Sequence, residues 1–138
     1  MTESTSSVFT RVAIGLQTLT LFFQAATAGL LLSTSYGYTL HDAGSKVMYG
    51  ATMLYVLAAV LAWKPGGGPL RPVLYSTGFL VLASAQVVLG VAHVPSLHVP
   101  LGVLMFGLSV LDLGRTLVAG RAGRAGRGRS AVPMAPSA

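Results

Sequence analysis

Four long apolar runs, separated by short polar or glycine- and proline-rich connections, fill almost everything between Val8 and Val118. Each run approaches or exceeds the roughly 20 residues, at about 1.5 Å rise per residue, that carry a helix across a bilayer. The pattern predicts helices over residues 9–32, 43–63, 72–92 and 99–118. The fold class that follows is all-α: an integral membrane, up-down four-helix bundle. Residues 1–8 are polar, without the basic start and small-residue cleavage site of a signal peptide, and read as a disordered N-terminal tail. Residues 119–138 repeat Arg-Ala-Gly and end in a proline-containing stretch that cannot bury a core, so they read as a basic disordered tail.

The polar punctuation supports these limits. Ser33 to His41 is rich in turn-formers, with Tyr36 and Tyr38 suited to a membrane interface, and Asp42 is placed to N-cap the second helix. Trp63 sits where an interfacial anchor belongs, and the following Lys64-Pro-Gly-Gly-Gly-Pro-Leu-Arg71 is a turn that no helix continues through. Pro72 suits the first turn of the third helix. The link from His93 to His98 is very short.

Composition excludes several classes of function. Of 138 residues, 53% are hydrophobic and 9% charged, against about 25% charged in soluble domains. There is no cysteine, which removes disulfides, iron–sulfur clusters, thiolate sites and covalently attached c-type haem. The net charge of +6 does not point to nucleic acid, because the arginines cluster directly after the last apolar run. Arg121, Arg124, Arg127 and Arg129 beside a membrane helix read as an anionic-lipid contact and a topology signal. Arg11, Lys64, Arg71 and the C-terminal arginines all fall at one end of the bundle, and Lys46 is the one dissenting charge. Both termini are therefore expected in the cytoplasm of a multi-pass protein of the plasma (cytoplasmic) membrane. His41, His93 and His98, all at the other end, then face outward.

That histidine cluster is the one pattern with metal-binding chemistry. The two hairpins that carry it echo each other. Gln24-Ala-Ala-Thr-Ala-Gly29 precedes a loop and His41-Asp-Ala-Gly44, while Gln86-Val-Val-Leu-Gly90 precedes a shorter loop and His98-Val-Pro-Leu-Gly102. In an up-down bundle the second and fourth helices lie diagonally across the core. Histidines at their ends can face one another with room for a haem, whose axial iron–nitrogen bonds are about 2 Å long. Gly44, Gly90 and Gly102 would admit the macrocycle close to backbone. Gln24 and Gln86, polar at membrane depth, read either as interhelical hydrogen-bonding groups or as contacts to a cofactor or quinone. His93 reads as an interfacial side chain, a substitute for His98 or a propionate contact. Asp112 and Arg115 read as a local ion pair near the cytoplasmic surface.

The stretch Gln86-Val-Val-Leu-Gly90, a short proline-containing link and a histidine opening the next helix resemble the third-to-fourth helix hairpin of haem A synthase. Each half of those proteins is a four-helix bundle with paired histidines near its outer surface, and this chain without its tails matches one half. The resemblance implies His41 and His98 as axial ligands of haem b. The family's carboxylate before the first histidine is replaced here by Gly37-Tyr-Thr-Leu40, and its extracellular cysteine pair is missing. Haem methyl oxidation is therefore not expected. The expectation is a single-bundle haem-binding membrane protein for electron transfer or haem handling, alone, as a homodimer or with a membrane redox partner. The alternative is a four-span scaffold or accessory subunit without cofactor.

Overall fold

The computed structural model describes the backbone of residues 2–64 and 67–130, and the side chains of residues 8–64 and 67–122. Four helices follow in order: α1 (Thr2–Leu31), α2 (Gly37–Trp63), α3 (Arg71–Val91) and α4 (Pro95–Ser130). All four are long and apolar enough to span a membrane, over Val8–Leu31, Gly37–Trp63, Arg71–Val91 and Pro95–Ala122. The protein is an all-helical, multi-pass bundle.

Four helix ends differ from the sequence expectation by more than one residue, the starts of α1, α2 and α4 and the end of α4. α1 begins at Thr2 and α4 runs to Ser130, where tails were expected over residues 1–8 and 119–138. Extending a formed helix costs no new nucleus, and Ala and Arg are strong helix formers; residues 131–138 lie outside the described residues. α2 begins at Gly37 rather than residue 43, so Asp42 is not its N-cap: Tyr36 holds that position, without a side-chain cap. Asp42 instead accepts from Lys46 Nζ at 2.8 Å, one turn on. That pairing answers the one dissenting charge at the histidine end.

The early start of α2 depends on Gly37. A Cβ there would lie 2.5 Å from Leu30 C and O and 2.6 Å from Leu31 N, so only glycine lets the first turn of α2 press on the last turn of α1. α4 begins with Pro95, whose missing N–H costs nothing in a first turn, while Pro100 lies inside the helix.

The helices form a ring, α1 on α2 and α4, α3 on α2 and α4, with α1 and α2 the most closely packed pair and α3 and α4 the loosest. α2 and α4 lie diagonally, as the up-down pattern requires. Without a hydrophobic drive between helices in lipid, small residues and hydrogen bonds must hold the seams. Each seam carries such a bond. Thr27 Oγ1 meets His41 Nδ1 at 3.1 Å, Tyr49 Oη meets Ser84 Oγ at 3.0 Å, Tyr75 Oη donates to Leu108 O at 2.7 Å, and Thr18 Oγ1 meets Ser109 Oγ at 2.6 Å.

Two buried apolar clusters fill the ring. Ala13, Ile14, Tyr55, Ala58 and Ala59 make one towards the basic end. Leu21, Met48, Phe79, Ala83 and Met105 make the other towards the histidine end. Asp112 does not pair with Arg115 among the described residues. Its Oδ2 accepts from Tyr55 Oη at 2.7 Å across the α2–α4 diagonal. A half-buried carboxylate in a membrane bundle is stabilised better by a fixed donor inside than by a snorkelling arginine at the rim.

Candidate histidine site

His41, near the start of α2, and His98, near the start of α4, come together across the diagonal with ring centroids 6.1 Å apart and planes at 70°. Both are half-buried. Their flanking loops differ in length, yet each ring is anchored to the glutamine of the preceding helix, His98 directly and His41 through Thr27. His98 Nδ1 lies 3.0 Å from the backbone oxygen of Gln86. A carbonyl only accepts, so Nδ1 carries the proton, and in the neutral ring Nε2 keeps the free lone pair. His41 Nδ1 meets the hydroxyl of Thr27 at 3.1 Å. Thr27 Oγ1 in turn donates towards Gln24 O and Oε1, each at 3.1 Å.

The glutamine side chains repeat the correspondence. Gln24 lies over Gly44, where an added Cβ would sit 2.8 Å from Oε1. Gln86 lies over Gly102, where an added Cβ would sit 2.9 Å from Nε2. Gly90 makes room for His98 itself, its absent Cβ being 3.3 Å from His98 Cε1. These glycines therefore admit side chains of their own hairpins. That differs from the sequence expectation, in which they faced a macrocycle directly.

Beyond this shared frame the hairpins diverge. Gln24 Oε1 is met by Thr27. Gln86 has Leu89 three residues on, and its Oε1 is buried without a hydrogen-bond partner among the described residues.

His93 stands apart. It has φ 55° and is exposed. Its N–H bonds Gly90 O at 3.1 Å while that of Val94 bonds Leu89 O at 3.0 Å. This pair of bonds is the Schellman ending of α3, with His93 at the left-handed position. Its ring Nδ1 lies 3.2 Å from Gly90 O and 3.0 Å from Val91 O. His93 thus closes a helix, and its anchored ring is spent on α3 rather than on the pair.

No group of three or more His, Asp or Glu side chains able to hold a metal occurs among the described residues. Two imidazoles alone make an incomplete site for a bare ion, which needs four or more donors. They suit an ion that brings its other ligands with it. Arg121 is exposed beyond the basic end, and the side chains of Arg124, Arg127 and Arg129 lie outside those described. Comparison with known protein families, characterised proteins and solved structures finds no match.

Proposed function

We propose that this protein binds haem b at one end of its bundle through His41 and His98, for electron transfer or haem handling. The observation that carries the reading is the paired, pre-oriented imidazoles. Two rings bonded through Nε2 to one iron at about 2 Å have centres about 6 Å apart, and the two here stand at 6.1 Å. The Nδ1 anchors, His98 on the Gln86 backbone and His41 on the Thr27 hydroxyl, hold both rings and favour the Nε2 lone pair, as second-shell partners of metal-bound histidine do. The resemblance of the Gln86–His98 hairpin to that of haem A synthase supports the same pair.

Haem supplies a one-electron couple when bound. His41 and His98 would hold its iron through ring nitrogens, with Thr27 and the Gln86 backbone keeping the rings from rotating and the apolar helices around them limiting water. Gln86, whose Oε1 is unpartnered, is the polar group best placed to meet a ligand beside the rings. The residue before His41 is Leu40, so no carboxylate stands there to assist oxidation of a haem substituent. The basic end faces the cytoplasm and anionic lipid, with Arg121 and the arginines after it, and the histidine pair faces outward across the plasma membrane.

The test is a reduced-minus-oxidised visible spectrum of detergent-purified protein expressed with ample haem. Sharp reduced α and Soret bands are expected, lost in His41→Ala and in His98→Ala and retained in His93→Ala. A folded, colourless protein that takes up no added haem would overturn the reading and leave a cofactor-free membrane subunit.

A further inference from the structure

Midway along the bundle, between the two apolar clusters, every helix buries a polar residue. In α1 Gln17 lies between Ile14 of one cluster and Leu21 of the other; in α2 Thr52 lies between Tyr55 and Met48. In α3 Ser76 lies between Val73 and Phe79, and in α4 Ser109 lies between Leu113 and Met105. The four are 0–1% exposed. Antiparallel helices with these spacings put all four at one depth, so a polar layer crosses a bundle that is apolar above and below it.

The hydroxyls of the layer spend their protons and leave acceptors open. Thr52 Oγ1 donates to Met48 O at 3.0 Å, and Ser76 Oγ donates to Val73 O at 3.2 Å. Thr18 Oγ1 donates to Ile14 O at 2.9 Å, so in the 2.6 Å contact between them Ser109 gives its proton to Thr18. Every hydroxyl proton is committed. Among the described residues the Thr52 and Ser76 oxygens receive no hydrogen bond, and Gln17 Oε1, buried at the same depth, has no partner. A buried acceptor left unmet costs about 1–3 kcal/mol in protein interiors.

We infer that this layer is a water site: one or more waters at mid-bundle donate to Gln17 Oε1 and to the Thr52 and Ser76 hydroxyl oxygens. Water brings two donors in the smallest volume, and buried waters characteristically serve two to four otherwise unmet polar groups. A monovalent cation is the weaker occupant, because no carboxylate stands in the layer to balance its charge. The site is independent of haem, since the Leu21–Met48–Phe79 cluster separates it from the histidines.

The experiment is water-edited solid-state NMR on the full-length, isotopically labelled protein in lipid bilayers. Magnetisation from water is expected to reach the Gln17 side chain about as fast as it reaches Gln24 at the histidine end. Ala58 and Ala83, in the dry clusters on either side, should lag. In Gln17→Leu the transfer to Thr52 and Ser76 should be lost while that to Gln24 is kept, and Gln17→Met serves if the leucine variant does not fold. A wild-type Gln17 no wetter than Ala58 and Ala83 would overturn the inference. So would a Gln17 resonance that is dry but shifts when sodium replaces choline, since that marks a cation.

Discussion

The two hairpins of this bundle are built to one plan and finished differently. In both, a glutamine amide covers a glycine on the next helix, and a histidine ring is tied to that glutamine's backbone, directly in the second and through Thr27 in the first. At the histidine end the first hairpin bonds its glutamine: Thr27 meets both Gln24 and His41, and Gly37 lets α2 lie against the end of α1. The second has Leu89 where the first has Thr27, an orphaned Gln86 Oε1 and the loosest helix pair in the ring. The first half of the site is thus a rigid wall. The second keeps an acceptor unmet among the described residues, in the loosest seam of the ring.

The largest effect expected from breaking that contrast is at Gly37. A leucine there would drive its Cβ into the backbone of Leu30, an obstacle that cannot rotate away, and should cost about 3 kcal/mol or more. Unfolding of Gly37→Leu against the wild type, in detergent titrated with sodium dodecyl sulfate, measures it. The opposing outcome, a variant of unchanged stability, would mean that the α1–α2 turn is not the rigid half.

Next come the paired glycines, where one substitution on each side compares the hairpins directly. In Gly44→Ala the new methyl meets Gln24 Oε1, which Thr27 holds; in Gly102→Ala it meets Gln86 Nε2 on an amide whose Oε1 nothing holds. The first variant should lose about 1 kcal/mol more than the second, since it must break a formed bond as well as move a side chain. Equal losses in the same titration would show that Thr27 does not pin Gln24.

A gentler change should sharpen the likeness. Leu89→Thr places a hydroxyl three residues after Gln86, as Thr27 stands after Gln24, and offers the missing donor to Oε1. The expected gain is about 0.6 kcal/mol, the mean for hydrogen bonds within membrane bundles. If Gln86 Oε1 is reserved for a ligand, the same variant should bind added haem more weakly than the wild type although it is more stable. Titration with haem, followed at the Soret band, separates the two effects.

Much of this architecture was legible in the chain. Apolar run lengths give the four helices, and the repeated Gln…His…Gly order gives the pairing of His41 with His98 across the diagonal. The early starts of α2 and α4 were not legible, because Tyr-Gly-Tyr and His-Val-Pro-Ser read equally as loop. What decides them is tertiary, the seat of Gly37 on Leu30 and the tolerance of Pro95 in a first turn. The Tyr55–Asp112 bond was missed for a similar reason: Arg115 is near Asp112 in sequence, whereas Tyr55 is near it only once α2 and α4 stand diagonally. The signal that was present is a lone acid deep in an apolar run, which requires an internal donor. The mid-bundle layer is likewise invisible until antiparallel packing brings Gln17, Thr52, Ser76 and Ser109 to one depth.

The smallest expected effect falls on His93, and its sign follows from backbone geometry. A β-carbon at φ 55° carries a left-handed penalty of about 1–2 kcal/mol, which glycine avoids. Against that, His93→Gly gives up the ring's bonds to the last carbonyls of α3 and frees the unfolded chain by a comparable amount. The two sides nearly cancel, so its unfolding midpoint should stay close to that of the wild type. His93→Val retains the penalty, adds β-branching and loses the ring, and should be clearly less stable. Both should keep whatever Soret band the wild type has. Loss of that band in a stably folded His93→Gly would move the axial ligand from His98 to its neighbour in the turn and dissolve the symmetry between the hairpins.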